Sequence, residues 1–159
     1  MKKSCTKTQN APHSALKERR ISGVVPLLFL LLLFLPILSV AEDEEPLVAR
    51  ELKQEVQSSE GLSIQVQVYM NEETHRQDLY ITPTEGGSVS TSGFVYAAAR
   101  GVSAITERSI TYRLYTGMVL IDVNRELWAI SAKSIRETFA LGTLEEQSTE
   151  LWKRLVRLR

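Results

Sequence analysis

Residues 62–70 read LSIQVQVYM, the clearest strand pattern in the chain. Leu62, Ile64, Val66, Val68 and Met70 alternate with Ser63, Gln65, Gln67 and Tyr69, the two-residue period of a strand with one face in a core and one in water. After the polar stretch 71–77, a shorter alternation follows in Asp78–Thr82, DLYIT, and Pro83 closes it because proline has no N–H to give to a ladder. The pair predicts a β-hairpin with a loop of several residues.

Downstream, Thr84–Ser92 is rich in turn residues, and Gly93–Ile105, GFVYAAARGVSAI, changes to a helical period. Ser90, Thr91 and Ser92 are candidate N-caps, and the small residues Ala97, Ala98 and Gly101 let this helix lie close on a sheet. From Ser109 to Tyr115 the chain alternates again, with Ile110, Tyr112 and Leu114 on one side, which predicts a strand. Met118–Val123 is almost wholly apolar, as a central strand is. Asn124-Arg125 reads as a turn, and Leu127–Ser131 as the returning strand. Lys133–Leu141 predicts a short helix ended by Gly142, and Thr143 with Glu146 predicts a capping box opening a last helix that reaches about Leu158.

Upstream of the hairpin, Leu47–Ser58 carries one narrow apolar stripe of Ala49, Leu52 and Val56, which predicts a peripheral helix. Taken in order, the elements predict an α+β domain. It is a small two-layer sandwich with an antiparallel or mixed sheet of four to five strands and helices on one side. This domain spans residues 61–159, after an acidic tether and short helix at 42–60.

Residues 24–41, VVPLLFLLLLFLPILSVA, are uncharged, and residues 1–23 form a basic leader. The positive flank predicts a cytoplasmic N-terminus, an apolar export helix at 24–41, and everything after Glu42 outside the cytoplasm. Two outcomes share that topology. Small Ser39 and Ala41 precede Glu42 in the pattern of a signal-peptidase cut, which predicts a secreted or periplasmic product. The run is also near the length that spans a bilayer, which predicts a single-pass protein anchored with its C-terminal domain outside. Arg19-Arg20 lacks the residues that accompany a twin-arginine signal and reads as an orientation signal. A bacterial source is the expectation.

Splitting the charge at this point changes the character of the chain. The formal net charge is zero, yet residues 42–159 hold 13 basic and 18 acidic residues, a net charge of −5. Nucleic acid is therefore not an expected partner, since phosphate neutralisation needs a basic footprint. The sole cysteine, Cys5, is in the leader, so residues 42–159 have neither a disulfide nor a thiol nucleophile.

Little in residues 42–159 suggests chemistry. His75 stands alone in a predicted loop with Glu72, Glu73 and Asp78, short of the ligand set of a zinc site, and reads as a solvated turn. Gly86-Gly87 ahead of the central helix lacks the lysine of a phosphate loop. Glu107, Asp122 and Glu126 fall near strand ends, where they could do acid–base work, but eighteen acids in residues 42–159 bring such neighbours together by chance. No catalytic residue, cofactor or metal ligand is assigned. The most distinctive feature is Leu151–Arg159, LWKRLVRLR, a basic amphipathic segment that marks Trp152, Lys153, Arg154, Arg157 and Arg159 as a candidate interaction surface for an anionic membrane or an acidic partner. The plainer alternative has Leu144, Leu151, Leu155 and Leu158 covering the sheet.

The expected function is that of an exported, non-catalytic interaction or ligand-binding module with an unknown protein partner. The alternatives are a membrane-tethered accessory protein using the basic segment, and a small exported carboxylate-dependent hydrolase. Residues 24–41 engage a membrane at least during export.

Overall fold

The computed structural model describes residues 44–84 and 89–159. The segment 24–41 expected to direct export and the residues Ser39, Ala41 and Glu42 of the expected cleavage site lie outside the described residues, as does Gly86-Gly87. Among the described residues no helix is long and apolar enough to cross a membrane.

The described residues form a mixed α+β fold with one five-stranded sheet. Its elements in chain order are helix α1 (Leu47–Glu60), strands β1 (Ile64–Asn71) and β2 (Arg76–Pro83), helices α2 (Thr91–Arg108) and α3 (Ile110–Tyr115), strands β3 (Thr116–Val123) and β4 (Glu126–Ser131), helices α4 (Ala132–Phe139) and α5 (Leu144–Arg154), and the short strand β5 (Val156–Arg157). The sheet order is β1-β2-β3-β4-β5. Three neighbouring pairs are antiparallel, and β2 and β3, joined through α2 and α3, are parallel. Mixed is thus the one of the two expected sheet types that forms.

Local chemistry sets the boundaries. Gly61 ends α1 in the left-handed region at φ 67°, where a side chain is disfavoured. The hydroxyls of Ser90, Ser109 and Ser131 accept N–H groups in the first turns of α2, α3 and α4, and Thr143 with Glu146 forms the predicted capping box of α5. Asn124 and Arg125 both have positive φ, 52° and 68°, as a two-residue type I′ hairpin between twisted strands requires.

One set of alternating strand positions is buried. Ile64 and Val66 of β1, Leu79 and Ile81 of β2, Val119 and Ile121 of β3 and Ile130 of β4 cluster with Phe94, Val102 and Ile105 of α2, Ile135 of α4 and Leu151 of α5. Most of the other set, including Gln65, Gln67, Tyr69, Tyr80, Met118 and Asp122, is exposed or half-buried.

Three expectations are corrected. Helix α1 is central, because Val48, Ala49, Leu52 and Val56 are all buried. Its narrow stripe suffices because Gly101 of α2 presents no side chain to it: a Cβ at Gly101 would sit 2.6 Å from Val56 Cγ2 and 3.0 Å from Leu52 Cδ1. The strand predicted over Ser109–Tyr115 is helix α3. The Ser109 hydroxyl accepts the Tyr112 N–H at 3.3 Å, and only Tyr112 packs on the core. The alternation of Ile110, Tyr112 and Leu114 is present in the sequence, but the cap outweighs it. Finally, the last helix stops at Arg154. Leu155 turns extended and the chain joins the sheet as β5, pairing Arg157 with Trp128 and Val156 with Ala129. A continued helix would leave the outer N–H and C=O groups of β4 without these partners.

Candidate interaction surface

Strand β1 is the sheet edge, and its outer side pairs with nothing among the described residues. All eight of its residues are in register with β2, from Ile64 opposite Pro83 to Asn71 opposite Arg76, without a bulge. Antiparallel ladders alternate hydrogen-bonded and open pairs, and Pro83 has no N–H, so Ile64–Pro83 is an open pair. The Thr84 N–H donates to the Ser63 carbonyl at 3.0 Å, which agrees with that phase. It follows that Ile64, Val66, Val68 and Met70 direct their N–H and C=O groups away from the sheet. The strand IQVQVYMN contains no charge and no proline, so it lacks the residues that usually blunt an edge. At the start of the strand lies a groove of about 530 Å³, lined by Lys53, Gln54, Gln57 and Ser58 of α1 and by Ser63 and Ile64.

The basic segment is placed at the opposite edge. Trp152 is half-buried and meets Trp128 edge-to-face, with ring centroids 5.2 Å apart. Each positive charge has an internal acidic partner. Lys153 lies 3.6 Å from Glu150, Arg154 bonds Glu150 at 2.8 Å and Glu137 at 2.5 Å, Arg157 bonds Glu126 at 2.8 Å, and Arg159 bonds Asp122 at 2.8 Å. The guanidinium of Arg157 also stands 5.7 Å over the Trp128 ring. The hydrogen bond from Arg154 holds the Glu150 carboxyl below its ordinary range. Of the four leucines expected to cover the sheet, Leu151 and Leu155 are buried, whereas Leu144 and Leu158 are exposed.

The remaining candidates are dispersed. His75 is exposed in the β1–β2 turn, at φ 52°. Asp122 accepts the Tyr80 hydroxyl as well as Arg159, and Glu126 holds Arg157. The Asp122 hydrogen bond, followed by burial, pushes the Tyr80 phenol above its usual value of 10.0. Glu107 accepts the Ser103 hydroxyl on its own helix. Among the described residues no cluster of three His, Cys, Asp or Glu side chains is arranged to hold a metal ion.

Known proteins give no match. No family model fits this chain, and neither a curated protein nor a solved structure matches it. Sequence reading recognised β1 as a strand but did not place it at an edge. The signal that was available is its lack of charge: a strand buried on one face only, with glutamines where a guarded edge carries lysines.

Proposed function

We propose that this protein is an exported, non-catalytic binding module. In this reading, a small two-layer sandwich with its helices on one side works outside the cytoplasm and takes an extended segment of a protein partner onto the free edge of β1. The observation that carries the reading is that edge: eight uncharged residues in unbroken register, with four outward N–H and C=O pairs and a groove at its start. Strand addition draws its affinity from main-chain hydrogen bonds, and alternate side chains of the added segment supply specificity. Here those nearest Ile64 would fall on the α1–β1 groove. The export of residues 42–159 rests on the uncharged run 24–41 behind a basic leader, with release after Ala41 or retention as an anchor both consistent with it.

The test uses a photo-crosslinking residue at Met70 in the full chain, compared with the same residue at Val156 beside the opposite edge. Adducts at Met70 and not at Val156 are expected. Val68→Pro removes an outward N–H that the β1–β2 ladder does not use, and is expected to weaken the complex at least about tenfold while the chain still folds. Met70→Pro, at an exposed position, repeats the test with less cost to the core. A partner captured equally at Val156, or one indifferent to both prolines, would overturn the reading.

A further inference from the structure

The basic residues of the fold are treated in two ways. Lys53, Arg100, Arg108, Lys133 and the four of the basic segment are ion-paired. Arg50, Arg76, Arg113, Arg125 and Arg136 have no carboxylate partner among the described residues, and the topology brings three of these, Arg76, Arg113 and Arg136, to one end of the sheet, where β3 begins. Arg76 opens β2, and its Cβ would lie 3.2 Å from a Cβ at Gly117, so the absence of a side chain there lets it come against the first residues of β3. Arg113 sits on α3, three residues before Thr116, and donates to the last carbonyls of α2, Thr106 at 3.4 Å and Glu107 at 3.2 Å. Arg136 is on the second turn of α4, which starts beside Ser131, the residue paired with Met118 of β3.

Arg136 is the informative member. Its Nη1 is buried without a hydrogen-bond partner, and so is the Thr116 hydroxyl at the start of β3. Burial lowers the Arg136 pKa, and the charges of Arg113 and Arg76 lower it further, against a smaller opposing pull from Glu137. The carboxylate next to it in sequence is committed elsewhere, since Glu137 takes Arg154 at 2.5 Å and Lys133 at 3.9 Å. Asp78, the nearest acid on β2, accepts the Met118 N–H at 2.8 Å and the Asn71 amide at 3.3 Å. Glu72 and Glu73 are exposed in the hairpin turn beyond Arg76. Asp78 and Glu137 are the carboxylates nearby, yet neither makes an ion pair with Arg76, Arg113 or Arg136 among the described residues, and three like charges so placed, one of them desolvated, are unfavourable in the isolated fold.

We propose that Arg76, Arg113 and Arg136 form a binding site for a phosphate-type oxyanion at the start of β3. Guanidinium groups suit this ligand because their planar N–H forks match tetrahedral oxyanions and stay charged at any physiological pH. The phosphate can belong to a soluble molecule or to a lipid headgroup. The second source is given weight by α3, which exposes Ile110, Leu114 and Tyr115 around Arg113 at 62%, 57% and 53% of their surface.

The test is calorimetric titration of the full chain in uncharged detergent with inorganic pyrophosphate at fixed ionic strength. Saturable binding is expected, weakened about tenfold by Arg76→Gln and abolished by the triple change to Gln, and unaltered by Arg125→Gln, an unpaired arginine in the β3–β4 turn. Arg76 is exposed, so its variant reports on the site without disturbing the fold. Vesicles of phosphatidylcholine with and without phosphatidylglycerol separate the sources. Because residues 24–41 favour either bilayer, only the difference between the two vesicles is read. A difference that vanishes in Arg76→Gln assigns the site to lipid phosphate, and pyrophosphate binding without such a difference assigns it to a soluble one. No binding of either, or binding that survives the triple variant, overturns the proposal.

Discussion

The basic segment Leu151–Arg159 and the arginine end around Thr116 present similar charges and opposite solutions. In the segment, Lys153, Arg154, Arg157 and Arg159 stand close in sequence, and every one is neutralised by a carboxylate brought from α4, α5, β3 or β4. At the other place, Arg76, Arg113 and Arg136 are far apart in sequence, brought to one end of the sheet by the fold, and without an ion pair to a carboxylate among the described residues. A run of positive charge in a sequence is therefore a poor guide to where a fold keeps charge available. Availability depends on where the acids fall after folding, and exposed pairs that do form contribute little each.

The comparison predicts that the segment is held by its apolar residues. Leu151 is fully buried in the core cluster, so Leu151→Ala is expected to cost about 3 kcal/mol, within the usual range of roughly 2–5 for a large-to-small core change. Denaturant unfolding of the full chain measures it. Arg157→Met, which removes the Glu126 pair and the contact with Trp128, is expected to cost at most about 1 kcal/mol. If the arginine change costs more than the leucine change, the segment is an electrostatic device and the contrast collapses.

At the arginine end the sign should reverse. Arg136→Met removes a desolvated charge that two neighbours repel, and keeps the methylenes that pack. The melting temperature is expected to rise by a few degrees in the absence of added anion. A fall would mean that Arg136 serves the fold, and would remove the reason to look for an external counter-charge.

These two regions also show how much was legible beforehand. The hairpin β1–β2, the caps at Ser90 and Thr143 and the turn at Asn124 were readable because their signals are local: a two-residue period, a hydroxyl before a helix, an asparagine between strands. Helix α3 was misread because a one-residue cap at Ser109 outweighed a six-residue alternation. Strand β5 was misread because the need it answers, the open side of β4, lies about 30 residues away and leaves no mark on VRLR itself. For the same reason neither the edge position of β1 nor the arginine cluster was visible, since both exist only after the sheet order is set. The basic segment was legible as a pattern and not as a surface, because its partners Asp122, Glu126 and Glu137 are remote in sequence.

The smallest effect sits on Asp122, where the segment meets the uncovered strand positions. Asp122 accepts both the Tyr80 hydroxyl and the Arg159 guanidinium, so Tyr80 is a third party to one of the segment's ion pairs. Its phenol is held above the ordinary 10.0, first by the bond to Asp122 and then by burial, so the folded state favours the neutral form. For a group whose folded pKa is raised, the associated stability is fully present below the unfolded value. It is lost as pH rises through the folded one. The wild-type chain should therefore lose stability above about pH 10 more steeply than Tyr80→Phe, which has nothing to ionise there. At neutral pH the variant gives up one half-exposed hydrogen bond, a change of no more than about 1 kcal/mol. Parallel alkaline profiles for the two proteins would show that Asp122 is engaged by Arg159 alone, and the segment's pairing would then be independent of the neighbouring strand β2.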